Sequence, residues 1–260
     1  MRIISLGSGS SGNGFLVDTG SIACLIDCGV GVRTVQAAIR DAHAADRLAA
    51  IVLSHEHIDH VRAVESIARR FGCPVVTTRG TEGQLRSSLR FDRRSAGQRF
   101  VDGALEVGFV GVSHDAAEPS GFVVEHAGDR VAIFTDLGYV TDEVYDALSD
   151  IDIIVLEANY DPLMLARGPY PRMLKRRVSG PAGHLSNDDC AAALVGAVAA
   201  RTRGIWLAHL SDTNNTPDIA RLAVEEALAL AGHAVPVGTL PRYERADVMD
   251  VPAWQLAFGL

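Results

Sequence analysis

Residues 53–60 read Leu-Ser-His-Glu-His-Ile-Asp-His and follow directly on the apolar run Leu48-Ala49-Ala50-Ile51-Val52. Three imidazoles and the carboxylate of Asp59 thus crowd one short turn at the end of a buried strand. At this chain's own composition the pattern His-x-His-x-Asp-His arises by chance in about one such chain per thousand. His55 and His57, two residues apart, can point the same way from a strand end, while Asp59 and His60 open the next helix. One segment can therefore feed ligands to two adjacent metal ions. Imidazole and carboxylate ligands without thiolate suit zinc, manganese or iron.

The rest of the chain alternates between strand-like and helix-like patterns. Residues 14–18 and 22–27 are short apolar runs around Thr19-Gly20-Ser21, a hairpin signal. Strands are expected at 48–53, 75–78, 105–112, 121–125, 130–135 and 151–156. Helices are expected at 32–42, after His60, and at 142–148, 187–199 and 217–231. Thr216-Pro217 is a cap followed by proline at the first helical position, and Gly232 closes that helix. This mixture, without a low-complexity linker, points to one α/β domain over residues 1–260. Residues 160–183, with four prolines, are expected to form a loop or lid. Gly7-Ser8-Gly9-Ser10-Ser11-Gly12 has dinucleotide-loop spacing but leads into a strand rather than a helix, so its glycines serve a sharp turn.

The His-rich turn resembles the hallmark motif of the metallo-β-lactamase superfamily, and the likeness runs along essentially the whole chain. It implies a four-layer αββα sandwich, and further ligands just after later strands. His114 in Val112-Ser113-His114-Asp115, Asp136 in Phe134-Thr135-Asp136 and His209 in Leu207-Ala208-His209 match in order and context. The resemblance then implies two divalent metal ions, Zn2+ or Mn2+, with iron also suited. His55, His57 and His114 would hold one, Asp59, His60 and His209 the other, with Asp136 bridging. His43, His126 and His233 have no matching context.

Two more residues bear on the chemistry. His184 precedes a helix start with a Ser-x-x-Asp pattern, and Glu157 ends a buried strand. A similar Glu and His pair protonates the leaving oxygen in tRNase Z-like members. The opening Ser5-Leu6-Gly7-Ser8-Gly9-Ser10-Ser11-Gly12-Asn13, with Ser113-His114-Asp115-Ala116 and Gly183-His184-Leu185-Ser186-Asn187, is most similar to the YycJ (WalJ, VicX) group of metal-dependent nucleases. Only 72 residues separate Asp136 from His209, too few for the inserted domain of the β-CASP nucleases.

The resemblance implies a phosphodiesterase, a nuclease acting on DNA or RNA through a metal-activated hydroxide. Asp59 would orient that hydroxide, and His184, oriented by Glu157, would protonate the leaving group. The alternative is a hydrolase of a small cyclic phosphodiester or a thioester. A net charge of 24 − 32 = −8 argues against a general grip on nucleic acid, but two stretches are basic. Residues 62–99 hold nine arginines against three acids, and residues 162–181 hold Arg167, Arg172, Lys175, Arg176 and Arg177 with none. Four cysteines and no secretion signal or membrane-length apolar run point to the reduced cytoplasm, with no membrane partner. A homo-oligomer is compatible with the sequence.

Overall fold

The computed structural model describes residues 1–250. In the first half the elements are β1 (Arg2–Gly7), β2 (Gly14–Asp18), β3 (Ala23–Ile26), α1 (Val32–Asp41) and β4 (Leu48–Val52). Then come α2 (Ile58–Val61), α3 (Val64–Phe71), β5 (Val75–Thr77), α4 (Arg79–Leu85) and β6 (Phe91–Arg93). The second half runs β7 (Arg99–Asp102), β8 (Leu105–Gly111), β9 (Ser120–His126), β10 (Asp129–Phe134), α5 (Asp142–Leu148) and β11 (Ile153–Glu157). It continues through α6 (Pro162–Arg167), α7 (Arg172–Val178), α8 (Asn187–Ala197), β12 (Gly204–Ala208), α9 (Pro217–Leu230), β13 (Val237–Thr239) and β14 (Ala246–Asp247).

Two seven-stranded sheets result, ordered β14-β1-β2-β3-β4-β5-β6 and β13-β12-β11-β10-β9-β8-β7. Each is antiparallel on one side and parallel on the other, the change falling at β3 and at β10. Period-two alternation sorts the side chains into layers. Cys24, Ile26, Val52 and Phe15 meet Phe109, Phe122, Val131 and Val155 between the sheets. Leu25, Ile51 and Leu53 instead pack on Val35, Ile39 and Ile67 of α1 and α3. On the far side Ile154, Leu156 and Leu207 pack on Val144, Leu194 and Val224 of α5, α8 and α9. These are the four αββα layers. Parallel strands such as Ile153–Glu157 are buried on both faces, which explains their unbroken apolar sequences.

The hairpin at Thr19-Gly20-Ser21 and most expected elements occur within two residues of their expected ends. One segment differs. Residues 160–183 are not irregular, because they contain the two short helices α6 and α7. Asp161 accepts from the Met164 amide and Pro162 takes the first turn, the same cap-and-proline start seen at α9. No helix of the described residues is long and apolar enough to cross a membrane.

Candidate metal centre

Parallel strands of both sheets end at one edge, and the His-rich turn sits there. Its backbone is pinned to the end of β3: Cys28 donates to the His60 carbonyl at 2.7 Å, and Ala63 to the Cys28 carbonyl at 2.8 Å. Gly29 makes that approach feasible, since a Cβ there would lie 1.5 Å from the Asp59 carbonyl oxygen. The glycine-rich loop closes over the same turn, with Asn13 donating to the Asp59 carbonyl at 2.7 Å. From the second sheet Ser120 donates to the Ser54 carbonyl at 3.1 Å and joins the two halves.

All seven expected ligands converge on this edge. Ligand atoms of His55, His57 and His114 lie within 4.8 Å of one another, as do those of Asp59, His60, Asp136 and His209. Four of the imidazoles obey one rule: Nδ1 is anchored and Nε2 faces the cluster. Ser54 Oγ is 3.0 Å from His55 Nδ1, Asp27 Oδ2 is 2.8 Å from His60 Nδ1, and the Gly183 carbonyl is 2.9 Å from His114 Nδ1. Glu157 Oε1 lies 3.0 Å from His209 Nδ1. A donor at Nδ1 leaves Nε2 with a bare lone pair, the state in which imidazole binds metal. His55 Nε2 and His209 Nε2 are buried without any hydrogen-bond partner. Asp136 Oδ2 makes no hydrogen bond either, although His60 Nε2 is only 3.0 Å away. Orphaned buried acceptors are costly and call for an explanation. Divalent cation binding at this edge would supply it, so the donor set fits divalent metal.

Electrostatics agree. Burial, helped by the neighbouring His60, pushes His55 well below its ordinary range. For His60 burial opposes the charge, but Asp136 and Asp27 outweigh it and hold the imidazole well above. His209 is raised to about 10, burial being overcome by Asp136, Asp59 and Glu157. Burial of Asp136 is likewise outweighed, by His209 and His60, and its carboxyl stays well below the carboxylate range. Protons therefore stay on His60 and His209 when cations do not bind, and cation binding displaces them.

Three residues of this edge, Asp27, Asp136 and His209, have φ of 55°, 57° and 53°. Left-handed backbone is uncommon outside glycine and clusters at functional sites. Each of these residues follows a buried strand and turns its side chain inward as the strand stops.

His184 and Glu157 stand beside the seven. His184 Nδ1 is 2.8 Å from Glu157 Oε1, and Glu157 is fully buried, accepting also from the Leu137 amide at 2.8 Å. Burial opposes charge on His184, but Glu157 outweighs it and the imidazole is raised. The capping pattern after His184 is real, with Ser186 Oγ accepting from the Asp189 amide at 3.0 Å at the start of α8.

Sequence reading missed Asp27, Ser54, Asn13 and Ser8. Asn13 Nδ2 is 3.0 Å from His60 Nε2 and 3.4 Å from Asp59 Oδ2, and Ser8 Oγ accepts from the His209 amide at 2.8 Å. Asp27 carried one readable signal, a lone carboxylate ending the apolar strand 23–26. The basic stretches resolve unequally. Arg69, Arg93, Arg94 and Arg99 pair with Glu65, Glu82, Asp92 and Glu106 and belong to a solvated surface. On α7 Arg177 pairs with Asp115 at 2.7 Å, whereas Arg172 and Arg176 have no acid partner among the described residues.

Residues 23–228 match the family model described as a beta-lactamase superfamily domain. The chain is 33% identical over 237 residues to the exodeoxyribonuclease YycJ of Bacillus anthracis, covering 88% of this chain and 90% of that protein. It is 31% identical over 241 residues to the exodeoxyribonuclease WalJ of Streptococcus pneumoniae serotype 2, covering 89% and 90%. Among solved structures, the metallo-beta-lactamase fold protein YhfI from Bacillus subtilis superposes with a TM-score of 0.72 at 16% identity, over 94% of this chain and 98% of that one.

Proposed function

The chain belongs to the beta-lactamase superfamily, and from that premise we propose that it is a single-domain, metal-dependent nuclease that hydrolyses phosphodiester bonds of DNA in the cytoplasm, where its four buried, unpaired cysteines stay reduced. One observation carries the reading beyond metal hydrolysis in general. His184 is raised by a buried carboxylate, next to the ligand cluster and bonded through Nδ1 to Glu157. An imidazole in that place, backed by a carboxylate, can give a proton to a poor leaving group. A thioester needs no such proton, and the relatives named as exodeoxyribonucleases support DNA over a small substrate.

His55, His57 and His114 are assigned to one cation and Asp59, His60 and His209 to a second, with Asp136 between them. Zinc and manganese suit this donor set best. When bound, the cations supply Lewis-acid charge beside the scissile phosphate and activate water for in-line attack at neutral pH. Asp59, at 16% more exposed than Asp27 or Asp136 at 3%, orients the attacking water. His184 protonates the departing 3′ or 5′ alkoxide and draws on Glu157 to stay charged until it does. General acid help of this kind is worth about 10²–10⁴ in rate.

The test is incubation with manganese or zinc and end-labelled single- and double-stranded DNA and RNA. Stepwise shortening of DNA from an end is the expected result. Hydrolysis confined to S-lactoylglutathione, with DNA left intact, sinks the proposal.

A further inference from the structure

A cavity of about 330 Å³ lies on the other face of the glycine-rich loop, with Leu6 and Val30 among its apolar lining and Ser11, Arg62, Arg242 and Tyr243 among its polar lining. Each polar wall is tied to the metal centre by a short stretch of chain. Ser11 is two residues from Asn13, which touches His60, and two residues span at most about 7 Å. Arg62 is two residues past His60. Arg242 donates through Nη2 to the carbonyl of Leu210, the neighbour of His209, at 2.8 Å.

The guanidinium groups are positioned rather than loose. Arg62 Nη1 donates to the Ser11 carbonyl at 2.5 Å, which fixes its direction without cancelling its charge. No carboxylate of the described residues lies within ion-pair distance of Arg62. Arg242 also pairs with Asp212, so one net positive charge remains across the two arginines. Nothing acidic opposes it from the facing first turn of α1. At the rim the Tyr243 ring is 73% exposed, its hydroxyl accepting from Ser11 Oγ at 3.2 Å. A fixed guanidinium suits a phosphate oxygen, and an exposed aromatic face suits a nucleobase of any identity.

We propose that this cavity seats the nucleotide next to the scissile bond, its phosphodiester on Arg62 and Arg242 and its base against Tyr243. The inference rests on the nuclease reading and deepens it. Such a subsite recognises backbone and base face, not sequence, and holds the strand in register while the adjacent linkage is cut.

Binding can be read without cleavage, using a labelled phosphorothioate oligothymidylate of about 12 nucleotides, within usual single-strand site sizes. Fluorescence anisotropy over a salt series gives the slope of log affinity against log salt. Arg62→Gln retains a donor for the Ser11 carbonyl but removes the charge. It should flatten the slope by about 0.7, the value of one phosphate contact on a single strand. Tyr243→Ala should weaken binding about tenfold, and Tyr243→Phe should restore most of it. Arg242→Gln checks the second guanidinium and should also flatten the slope. An unchanged slope in both arginine variants, or an oligonucleotide that the unaltered protein does not bind, overturns the proposal. If the slopes flatten as expected but the unaltered protein leaves natural DNA uncut, the subsite stands and the nuclease reading falls.

Discussion

Asp27 Oδ2 lies 2.8 Å from His60 Nδ1, both side chains almost completely buried. The carboxylate is itself fixed, accepting from the Ser54 amide at 2.9 Å and from Ser54 Oγ. Asp27 thus orients the imidazole and raises its basicity from behind, without being a ligand. Asp27→Asn keeps the shape and suits the left-handed backbone at this position, which asparagine tolerates. It should weaken metal binding by about 10–100-fold with little change in the thermal midpoint of the metal-free protein. Competition against a chromogenic chelator measures the first and calorimetry the second.

Asp136 lies 3.0 Å from His60 Nε2, 3.2 Å from His209 Nδ1 and 3.9 Å from His114 Nε2. Asp136→Ala should bind less metal than the unaltered protein and lose hydrolysis. Chelation of the unaltered protein should abolish activity while leaving the far-ultraviolet circular dichroism intact, because the layers are held by apolar cores. Full activity in Asp136→Ala with both cations bound contradicts the assignment.

His184 and Glu157 separate acid catalysis from metal binding. His184→Ala should retain its metal, lose about 10²-fold or more on DNA, and lose far less on bis-p-nitrophenyl phosphate, whose leaving group needs no proton. Glu157→Gln should differ in kind, because Glu157 Oε1 also lies 3.0 Å from His209 Nδ1. It should slow DNA hydrolysis and weaken metal binding together. Metal loss in His184→Ala would make His184 a ligand instead.

On α7 only some of the basic side chains are free to meet a strand. Arg177 is engaged by Asp115, and Lys175 Nζ donates to the Ala166 carbonyl at 2.6 Å. The double variant Arg172→Ser, Arg176→Ser should therefore flatten the salt slope of DNA binding by up to about 1.4, two single-strand contacts. A slope equal to that of the parent returns α7 to the solvated surface.

The Arg47 guanidinium holds the Asp18 carboxyl below the ordinary carboxylate range against partial burial, and also donates to the Ala42 carbonyl. A carboxyl whose folded pKa is depressed stabilises the fold above its unfolded value and ceases to do so as pH falls through the folded one. Asp18→Asn should lower the melting temperature at neutral pH, and its difference from the parent should shrink below about pH 4. A difference independent of pH would assign the effect to packing.

The centre was legible where chemistry is dense along the chain. His55, His57, Asp59 and His60 announce themselves because four potential ligands in six positions are improbable. His114, Asp136 and His209 could be found because each closes an apolar strand. Asp27 looks the same from sequence, yet its role depends on the approach of β3 to the His-rich turn, a tertiary fact. Asn13 was hidden among glycines that drew attention to the turn alone. Helix α6 escaped although Asp161-Pro162 repeats the start signal of α9, because prolines elsewhere in residues 160–183 outweighed it. The orientation of the arginines, paired on one stretch and partly free on the other, follows from neighbours distant in sequence.

His209 stands at the end of β12, the third strand from last, while the His-rich turn is made in the first quarter of the chain. Synthesis proceeds from the N-terminus, so a nascent chain presents His55, His57 and His60 long before their partners exist. A ribosome halted anywhere short of residue 209 holds a polypeptide with an incomplete second ligand group. A nuclease built this way is mute until β12 has been made, and gains its chemistry only once strands far apart in the order of synthesis have met.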